Sequence, residues 1–206
     1  MSTRIFCIGQ NYVAHVQELG NELNSEPLIF MKPTACLLPV GEPIPFPHHG
    51  RELHQEAELV IQIGREGHVA SAEEAPSFIS GLSLGLDMTL RDVQTKLRQK
   101  GHPWELSKSF EGSAPIGEFV PFTAAFDLTD LHYTCHINGE LRQQGHTALM
   151  IFPIATLIAT LGQVWRLRPG DLIYTGTPAG VGPVHTGDVI TVASEGIGGF
   201  SWVVGE

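Results

Sequence analysis

Three acidic side chains stand in or directly after apolar segments, where carboxylates are uncommon. Glu56 and Glu58 lie two residues apart in the run HQEAELVIQIG, and Asp87 closes the run ISGLSLGLD. Alternate residues of a strand share one face and lie roughly 6.5–7 Å apart, so both glutamates can address one point. For two acids alone, a solvated strand face is the simpler interpretation. A third carboxylate at the end of a buried strand favours a shared site, because a buried charge requires a counter-charge or hydrogen bonds.

The types of ligand atom indicate which cation such a site would hold. No cysteine accompanies the three acids, and His54 is the one histidine close to them in the sequence. Carboxylate oxygens select Mg²⁺ or Mn²⁺ over Zn²⁺ or copper, and Ca²⁺ usually takes more protein ligands. Three protein oxygens leave about half of an octahedron open to water or substrate. The pattern therefore predicts a catalytic metal site.

Two further segments carry groups suited to acid–base chemistry. His15 and Glu18 are three residues apart in NYVAHVQELGN, which brings them together on one face of a helix. A carboxylate beside an imidazole fixes its tautomer and raises its basicity, as a general base requires, although ordinary surface pairs share this spacing. Lys108, in ELSKSFEG, is suited to holding a carboxylate or an oxyanion, and a solvated surface lysine is the alternative.

Groups that could bind an anionic substrate follow the acidic segments. Arg91 and Gln94 come soon after Asp87 at the start of a predicted helix, unless Asp92 holds Arg91 in an ion pair. The segment TGTPAGVGPV offers glycine N–H groups and threonine hydroxyls that can cradle an anion, and a tight structural turn is the alternative. This segment lacks the lysine and the spacing of a nucleotide-binding loop.

Two histidines have no such context. His132 and His136 are four apart on a predicted strand and face the same way, but the sequence supplies no third ligand beside them. We predict that they are structural or exposed.

The elements that must position these residues are mostly strands. Apolar runs bounded by Gly, Pro, Asn or Asp recur as IFCIG, LIFMK, LVIQIG, GLSLGLDM, YTCHING, DLIYTG, DVITVA and FSWVVG. Helical patterns are fewer: NYVAHVQELG, SAEEAPSFI, LRDVQTKLRQKG and TALMIFPIATLIATLG, the last with Pro153 in its first turn. Because strands and helices do not alternate regularly, a doubly wound parallel sheet is disfavoured. We predict one α+β domain over residues 1–206, around a mostly antiparallel sheet, open or closed.

Composition narrows the classes of partner and compartment. The 206 residues are 42% hydrophobic, with no apolar stretch long enough for a membrane helix and no signal-peptide pattern at the start. Three cysteines without paired spacing, Cys7, Cys36 and Cys135, fit a cytoplasmic protein. With 22 acidic against 12 basic residues the net charge is −10, which disfavours nucleic acid as a partner. A small anion bound by such a protein needs local cations.

Seven segments in fixed order carry a family resemblance over nearly the whole chain. They are GQNYVAH, IFMKP, HQEAELVIQIG, GLDMTLRDVQ, GHPWELSKSFEGSAPIG, INGELRQQG and LIYTGTPAGVGPV. The chain resembles the fumarylacetoacetate hydrolase family, in particular its short single-domain members that act as acylpyruvases or oxaloacetate decarboxylases. The resemblance implies a mixed β-roll or barrel-like fold of the family's C-terminal domain type, in a homodimer.

The resemblance also implies roles for individual residues. It gives the metal ion, Mg²⁺ or Mn²⁺, to Glu56, Glu58 and Asp87, and it makes His15 and Glu18 a dyad that activates water on a segment ordered by ligand. It places Lys108 in the pocket as a catalytic group. Substrate binding falls to four further positions: Arg91, Gln94, Gly176 and Thr177.

The implied substrate is a small keto acid. The first expectation is hydrolysis of the carbon–carbon bond of an acylpyruvate to pyruvate and a carboxylic acid. The alternatives are decarboxylation or keto–enol tautomerisation of oxaloacetate, which share the enolate, and a binding domain without activity, which the retained acids and dyad disfavour. Gln10 in GQNY stands where relatives commonly have arginine, so a cationic contact to the substrate is missing.

Overall fold

The computed structural model describes residues 3–206, and a short strand or helix accounts for most of the predicted runs. In chain order the strands are β1 (Ile5–Gly9), β2 (Leu28–Lys32), β3 (Leu37–Pro39), β4 (Leu53–Gln55), β5 (Ala57–Ile63), β6 (Ile79–Leu86), β7 (Thr89–Leu90), β8 (Ala114–Ile116), β9 (Val120–Pro121), β10 (His132–Ile137), β11 (Glu140–His146), β12 (Leu172–Tyr174), β13 (Gly182–Pro183), β14 (Val189–Ser194) and β15 (Gly198–Val203). The α-helices are α1 (Val13–Glu18), α2 (Arg91–Gln99), α3 (Glu105–Lys108) and α4 (Ile154–Val164).

The strands form three sheets that are mostly antiparallel. The largest runs in the order β2-β1-β12-β5-β6-β8-β3, with β9 beside β6, and curls into a half-barrel. Its parallel pairs are β1 with β12 and β3 with β8. A second sheet has the order β11-β10-β14-β15, and a small third sheet the order β13-β4-β7. The predicted β-rich α+β fold is confirmed.

Both faces of β5 are buried, which explains its almost unbroken apolar sequence. Leu59, Ile61 and Ile63 belong to the main hydrophobic core, while Val60 packs on the other face in a smaller cluster with Tyr174. A charged side chain on either face is therefore out of water unless it lies at the end of the strand.

Strand pairing brings the start of β5 next to the end of β6. In the antiparallel pair of β5 and β6, Ala57 lies opposite Leu86, and just beyond it the Asp87 N–H donates to the Glu56 carbonyl over 2.8 Å. The prediction that Glu56 and Glu58 share one strand is wrong in detail. The ladder breaks at Glu56, because β4 pairs in the small sheet with β7 and β13, whereas β5 pairs in the large one.

Two helix predictions also need correction. The segment SAEEAPSFI forms only a single 3₁₀ turn, Ala75–Phe78, in which Pro76 supplies no N–H for a longer helix. Helix α4 begins at Ile154, so Pro153 precedes the first turn instead of lying in it, with extended backbone at φ −57° and ψ 153°. No helix in residues 3–206 is both long and apolar enough to span a membrane.

Candidate active site

The three acidic side chains singled out in the sequence lie together in the structure. Glu56 occupies the junction of β4 and β5, Glu58 is the second residue of β5, and Asp87 directly follows β6. All three are 5% exposed or less, and one oxygen of each lies within 4.8 Å of the other two. Three buried carboxylates thus converge on a single point, and we refer to them as the carboxylate cluster.

Cations compensate two members of this cluster. Lys108 Nζ lies 2.7 Å from Glu56 Oε2 and 2.6 Å from Asp87 Oδ2, and Lys32 Nζ lies 2.6 Å from Asp87 Oδ1. Arg91 forms an ion pair with the other oxygen of Glu56. Among residues 3–206, Glu58 has no such cation, and its Oε2 accepts the Gly176 N–H over 2.7 Å. The cluster is therefore unevenly neutralised.

The pKa values follow this unequal compensation. Burial raises the pKa of Glu58 well above its usual range, and the neighbouring charge of Asp87 raises it further. Burial also acts to raise the pKa of Glu56, but Lys108 and Arg91 outweigh it and hold that pKa well below its usual range. The pKa of Lys108 is raised, because the attraction of Asp87 and Glu56 exceeds the effect of its burial. The glutamate without a cation is the one that resists ionisation.

The cluster has the donor set of a hard divalent cation. Every converging ligand atom is a carboxylate oxygen, which suits Mg²⁺ or Mn²⁺. Asp87 Oδ1 is buried and accepts no hydrogen bond from residues 3–206, since Lys32 approaches it out of hydrogen-bond alignment. Glu58 is buried beside Asp87 without a counter-charge of its own, and a bound cation would supply that charge.

The second predicted pair, His15 and Glu18, is also in contact. His15 is 3% exposed, and its Nδ1 lies 3.0 Å from Glu18 Oε2 across one turn of α1. The other oxygen of Glu18 accepts the Gly180 N–H over 2.9 Å. With Nδ1 facing Glu18, Nε2 is the nitrogen left to meet a substrate or a water.

Asn11 fixes the start of the segment that carries this dyad. Its side chain is fully buried, and Nδ2 donates to the carbonyls of Thr175, over 2.8 Å, and Phe152, over 3.1 Å. Its Oδ1 accepts the Phe152 N–H over 2.8 Å. Helix α1, which follows, has no side-chain hydrogen bond at its N-terminus. Hydrogen bonds therefore hold the chain at Asn11, just before α1, and at Glu18, where α1 ends.

A narrow cleft joins the dyad to the carboxylate cluster. It is lined by Gly9, Gln10, His15, Leu19, Phe30, Glu56, Arg91, Gln94, Arg98, Trp104 and Lys108. The free space is about 20 Å³, enough for a single water molecule, because ion-paired side chains fill the rest. The ion pairs of Arg91 and Lys108 with Glu56 occupy the space next to the cluster.

Arg91 and Gln94 lie in this cleft as a pair. Arg91 Nη1 donates to Gln94 Oε1 over 2.5 Å. The alternative in which Asp92 holds Arg91 is not what the structure shows, because Asp92 lies 3.8 Å from Lys96 and accepts the Arg51 N–H over 3.3 Å. Both predicted substrate-binding side chains of α2 thus face the cluster.

The Thr-Gly-Thr-Pro segment lies beneath the cluster. Gly176 has φ +99°, and a Cβ there would lie 2.6 Å from Asn11 Cβ, so this position requires glycine. Its N–H is taken by Glu58, and the Thr177 hydroxyl donates to the Ala57 carbonyl over 2.9 Å. The structure places both residues as supports of the acidic strand, and their contact with substrate stays a prediction.

Two further residues at the site, Lys32 and Gln143, carry no local sequence pattern that assigns them a role. Lys32 is 2% exposed at the end of β2, where a lysine closing the apolar run LIFMK was the available signal. Gln143 is 1% exposed and accepts the Ala57 N–H over 3.0 Å, while its Nε2 donates to Thr177 Oγ1 over 2.7 Å. Its partners are 86 and 34 residues away, so no local pattern could indicate them.

The chain is similar to proteins of one enzyme family over nearly its whole length. The sequence profile of the fumarylacetoacetate (FAA) hydrolase C-terminal domain matches residues 4–204. The mitochondrial oxaloacetate tautomerase of Mus musculus is 42% identical over 193 residues, which cover 94% of this chain and 87% of that protein. The mitochondrial oxaloacetate decarboxylase of Dictyostelium discoideum is 41% identical over 195 residues, covering 94% and 89%.

A solved structure agrees with these sequence matches. The fumarylpyruvate hydrolase of Pseudomonas aeruginosa, in complex with Mn²⁺ and pyruvate, superposes with a TM-score of 0.94 at 36% identity, covering 99% of this chain and 90% of that one. Sequence and fold therefore lead to the same assignment. The chain belongs to the fumarylacetoacetate hydrolase family.

Proposed function

We propose that this protein is a divalent-metal-dependent hydrolase that cleaves the carbon–carbon bond of acylpyruvates, giving pyruvate and a carboxylic acid. The observation that carries the proposal is that His15, paired with Glu18, lines the same cleft as Glu56, on which Glu58 and Asp87 converge. A base for water and a site for a cation are the two parts that such a hydrolysis requires.

Glu56, Glu58 and Asp87 would hold the cation, Mg²⁺ or Mn²⁺. When bound, it supplies Lewis-acid stabilisation of the negative charge that develops on the substrate oxygens. The neighbouring fumarylpyruvate hydrolase structure contains Mn²⁺. Three carboxylate oxygens favour a hard divalent ion of this kind over Zn²⁺.

Charge balance supports an anionic substrate. Once Glu58 gives up its proton to ligate a cation, the three carboxylates balance three basic side chains, Lys32, Arg91 and Lys108. A divalent cation then leaves two positive charges in a buried cleft, where uncompensated charge is costly. The carboxylate of a 2-oxo acid and the enolate formed from it supply the matching negative charge.

The basic side chains of the cleft orient the substrate. Lys108, buried between Glu56 and Asp87, presents an ammonium group that stabilises an oxyanion at the cluster. Arg91 offers a planar guanidinium for the substrate carboxylate, with Gln94 holding one of its nitrogens. Substrate binding exchanges the ion pair of Arg91 with Glu56 for one with the substrate.

The dyad supplies the proton transfer. His15 Nε2 takes a proton from water while Glu18 keeps the opposite nitrogen protonated and oriented. The resulting hydroxide adds to the distal carbonyl carbon, and the bond between that carbon and the methylene group breaks. The electron pair remains on the departing pyruvate enolate, which takes up one proton to become pyruvate. The acyl part leaves as a carboxylic acid.

Oxaloacetate chemistry is the second candidate, because relatives named oxaloacetate tautomerase or decarboxylase are 40–42% identical to this chain. Tautomerisation needs a base that moves a proton between carbon and oxygen, and decarboxylation needs a stabilised enolate. Neither requires water to add to a carbonyl. The same cleft residues serve both, so the difference lies in whether His15 acts on water.

Product analysis distinguishes the two candidates. Purified protein with Mg²⁺ or Mn²⁺ is incubated separately with acetylpyruvate and oxaloacetate, and products are quantified by NMR. We expect pyruvate and acetate from acetylpyruvate, and a loss of this activity in His15→Ala. Negligible cleavage of acetylpyruvate alongside rapid oxaloacetate turnover would assign the second function instead.

The oligomeric state and the cellular compartment of the protein do not follow from the chemistry of the cleft. We propose a homodimer, for which light scattering of the purified protein is the test. Two of the relatives are named as mitochondrial, so the predicted cytoplasmic location stays a prediction for this chain.

A further inference from the structure

A second group of metal-ligand side chains lies on the β10–β11 hairpin and shares no residue with the cleft. His132 and His146 are directly paired across the two strands, and their rings stack with centroids 3.9 Å apart. Asp130 Oδ1 lies 3.2 Å from Nε2 of His132 and 2.8 Å from Nε2 of His146. The prediction that His132 has no further ligands beside it is therefore wrong, because its partners come from the opposite strand and the preceding turn.

We propose that Asp130, His132 and His146 form a second metal site, selective for a borderline transition metal such as Zn²⁺. One ligand atom from each residue lies within 4.8 Å of the other two. Two imidazole nitrogens and one carboxylate select Zn²⁺ or Ni²⁺, whereas the oxygen-only cluster selects Mg²⁺ or Mn²⁺. The chain thus carries two cation sites of different chemistry.

The register of the hairpin brings the three ligand side chains together. Both ring nitrogens approach the Asp130 oxygen, and a cation between them would require rotation of that carboxylate and of the nearly parallel rings. The side chains of Asp130 and His132 are each 67% exposed, so water can complete a tetrahedral set. A bound ion would replace two hydrogen bonds with coordinate bonds.

Metal binding at this second site would stabilise the open end of the hairpin, where β10 begins and β11 ends. Next to the site, Leu131 and Thr147 exchange two hydrogen bonds, of 2.9 and 3.0 Å. Farther along β11, Gln143 braces the acidic strand at Ala57. The site therefore stabilises the hairpin on which Gln143 is carried, and it takes no part in the reaction itself.

The test is a Zn²⁺ titration of the full chain in millimolar Mg²⁺, which competes with Zn²⁺ for the carboxylate cluster. We expect one Zn²⁺ site by calorimetry that His146→Ala and His132→Ala each weaken at least about tenfold, while His185→Ala, at another exposed histidine paired with one aspartate, leaves it unchanged. Circular dichroism confirms that the variants fold. Equal Zn²⁺ affinity in parent and His146→Ala protein overturns the proposal.

One face of α2 lines the outer end of the cleft. Arg91, Gln94 and Arg98 are spaced by three and four residues on α2, so they share one face and all line the cleft. Arg91 and Lys108 are ion-paired with the cluster, whereas the partner of Arg98 in residues 3–206 is the neutral amide of Asn21. Gln10, with φ +59°, lines the same cleft without charge.

We infer, on the basis of the proposed function, that Arg98 selects substrates with a second carboxylate at the end remote from the 2-oxo acid. Arg98 lies about two helical turns, roughly 10 Å, beyond Arg91 along α2. Its guanidinium is the uncommitted cation among the cleft-lining residues and can form a bidentate pair with a carboxylate. It thereby supplies a cation that glutamine at position 10 does not.

Two substrates that differ at the remote end test this inference. For Arg98→Gln we expect KM for fumarylpyruvate to rise about tenfold, KM for acetylpyruvate to change less than about twofold, and Arg98→Lys to recover part of the difference. Lys96→Gln, an exposed change on the same helix, is the control. Equal changes in KM for both substrates would mean that Arg98 acts only through its hydrogen bond to Asn21, and would overturn the inference. If the parent enzyme cleaves neither substrate, the proposed function itself fails.

Discussion

The carboxylate cluster and the His15–Glu18 dyad are built in opposite ways. The cluster lies at the ends of β5 and β6, buried and held by ion pairs and by Gly176. The dyad lies on a six-residue helix without a side-chain cap, next to an exposed segment, residues 22–26. One fixed contact, from the Gly180 N–H to Glu18, joins this helix end to the turn beneath the cluster.

In the proposed function, this difference separates two tasks. A cation site must hold its ligands in place, and buried strand ends provide that rigidity. Water activation must follow substrate entry into a closed cleft, and a short helix with few anchors can move without disturbing the core. We therefore expect cation binding and proton transfer to be separable by mutation.

The largest effect is expected for Glu58→Ala. Removing the central carboxylate takes one of three ligands from the cation, so we expect loss of Mn²⁺ binding by calorimetry and a loss of turnover of about 1,000-fold or more. Glu118→Ala, at an exposed carboxylate, serves as the matched control. Tight Mn²⁺ binding by the Glu58 variant would mean that the ligands lie elsewhere.

His15→Ala should affect chemistry alone. Loss of a general base lowers kcat by about 10²- to 10⁴-fold, while Mn²⁺ affinity stays within about twofold of the parent. Gln17→Ala, an exposed change on the same helix, should leave both unchanged. If His15→Ala also weakened Mn²⁺ binding, the two regions would not be separable.

Glu18→Gln should have a smaller effect than His15→Ala. The amide oxygen can still accept from His15 Nδ1, but the charge that stabilises an imidazolium is lost, so we expect kcat to fall about tenfold. The pH profile of kcat provides the check, since its acidic limb should move to lower pH when the imidazolium is less stabilised. We therefore expect the limb at lower pH than in the parent.

The smallest effect concerns pH and stability. The raised pKa of Glu58 means that the folded protein without metal holds this proton more tightly than the unfolded chain does. The resulting stabilisation of the folded state is fully present below the pKa of glutamate in the unfolded chain, about 4.3. It is lost as pH rises through the pKa of Glu58 in the folded protein. Because a cation replaces the proton, Mn²⁺ should raise Tm by more at pH 8 than at pH 5.5, and an equal rise at both would contradict this.

The sequence predicted the parts of the site that are indicated by residue types and spacings within short segments. An acid that ends an apolar strand and two acids at a spacing of two pointed to Asp87, Glu56 and Glu58, and a spacing of three pointed to His15 and Glu18. The strand-rich fold followed from short apolar runs bounded by turn residues. These features are local because hydrophobic periodicity and helical spacing act over a few residues.

Other features depend on contacts between distant segments. Lys32 closes an ordinary apolar strand, and only the packing of β2 brings it to Asp87. Gln143 acquires its role through hydrogen bonds to Ala57 and Thr177 from another sheet. The pairing of His132 with His146 requires the hairpin register. Such relations follow from strand order, which short sequence patterns do not specify.

Anomalous diffraction from a crystal of the protein grown with Mn²⁺ would locate the bound cation directly. We expect one strong peak in the cleft, roughly 2.1 Å from an oxygen of each of Glu56, Glu58 and Asp87. Absence of a peak among these three side chains at saturating Mn²⁺ would contradict this expectation.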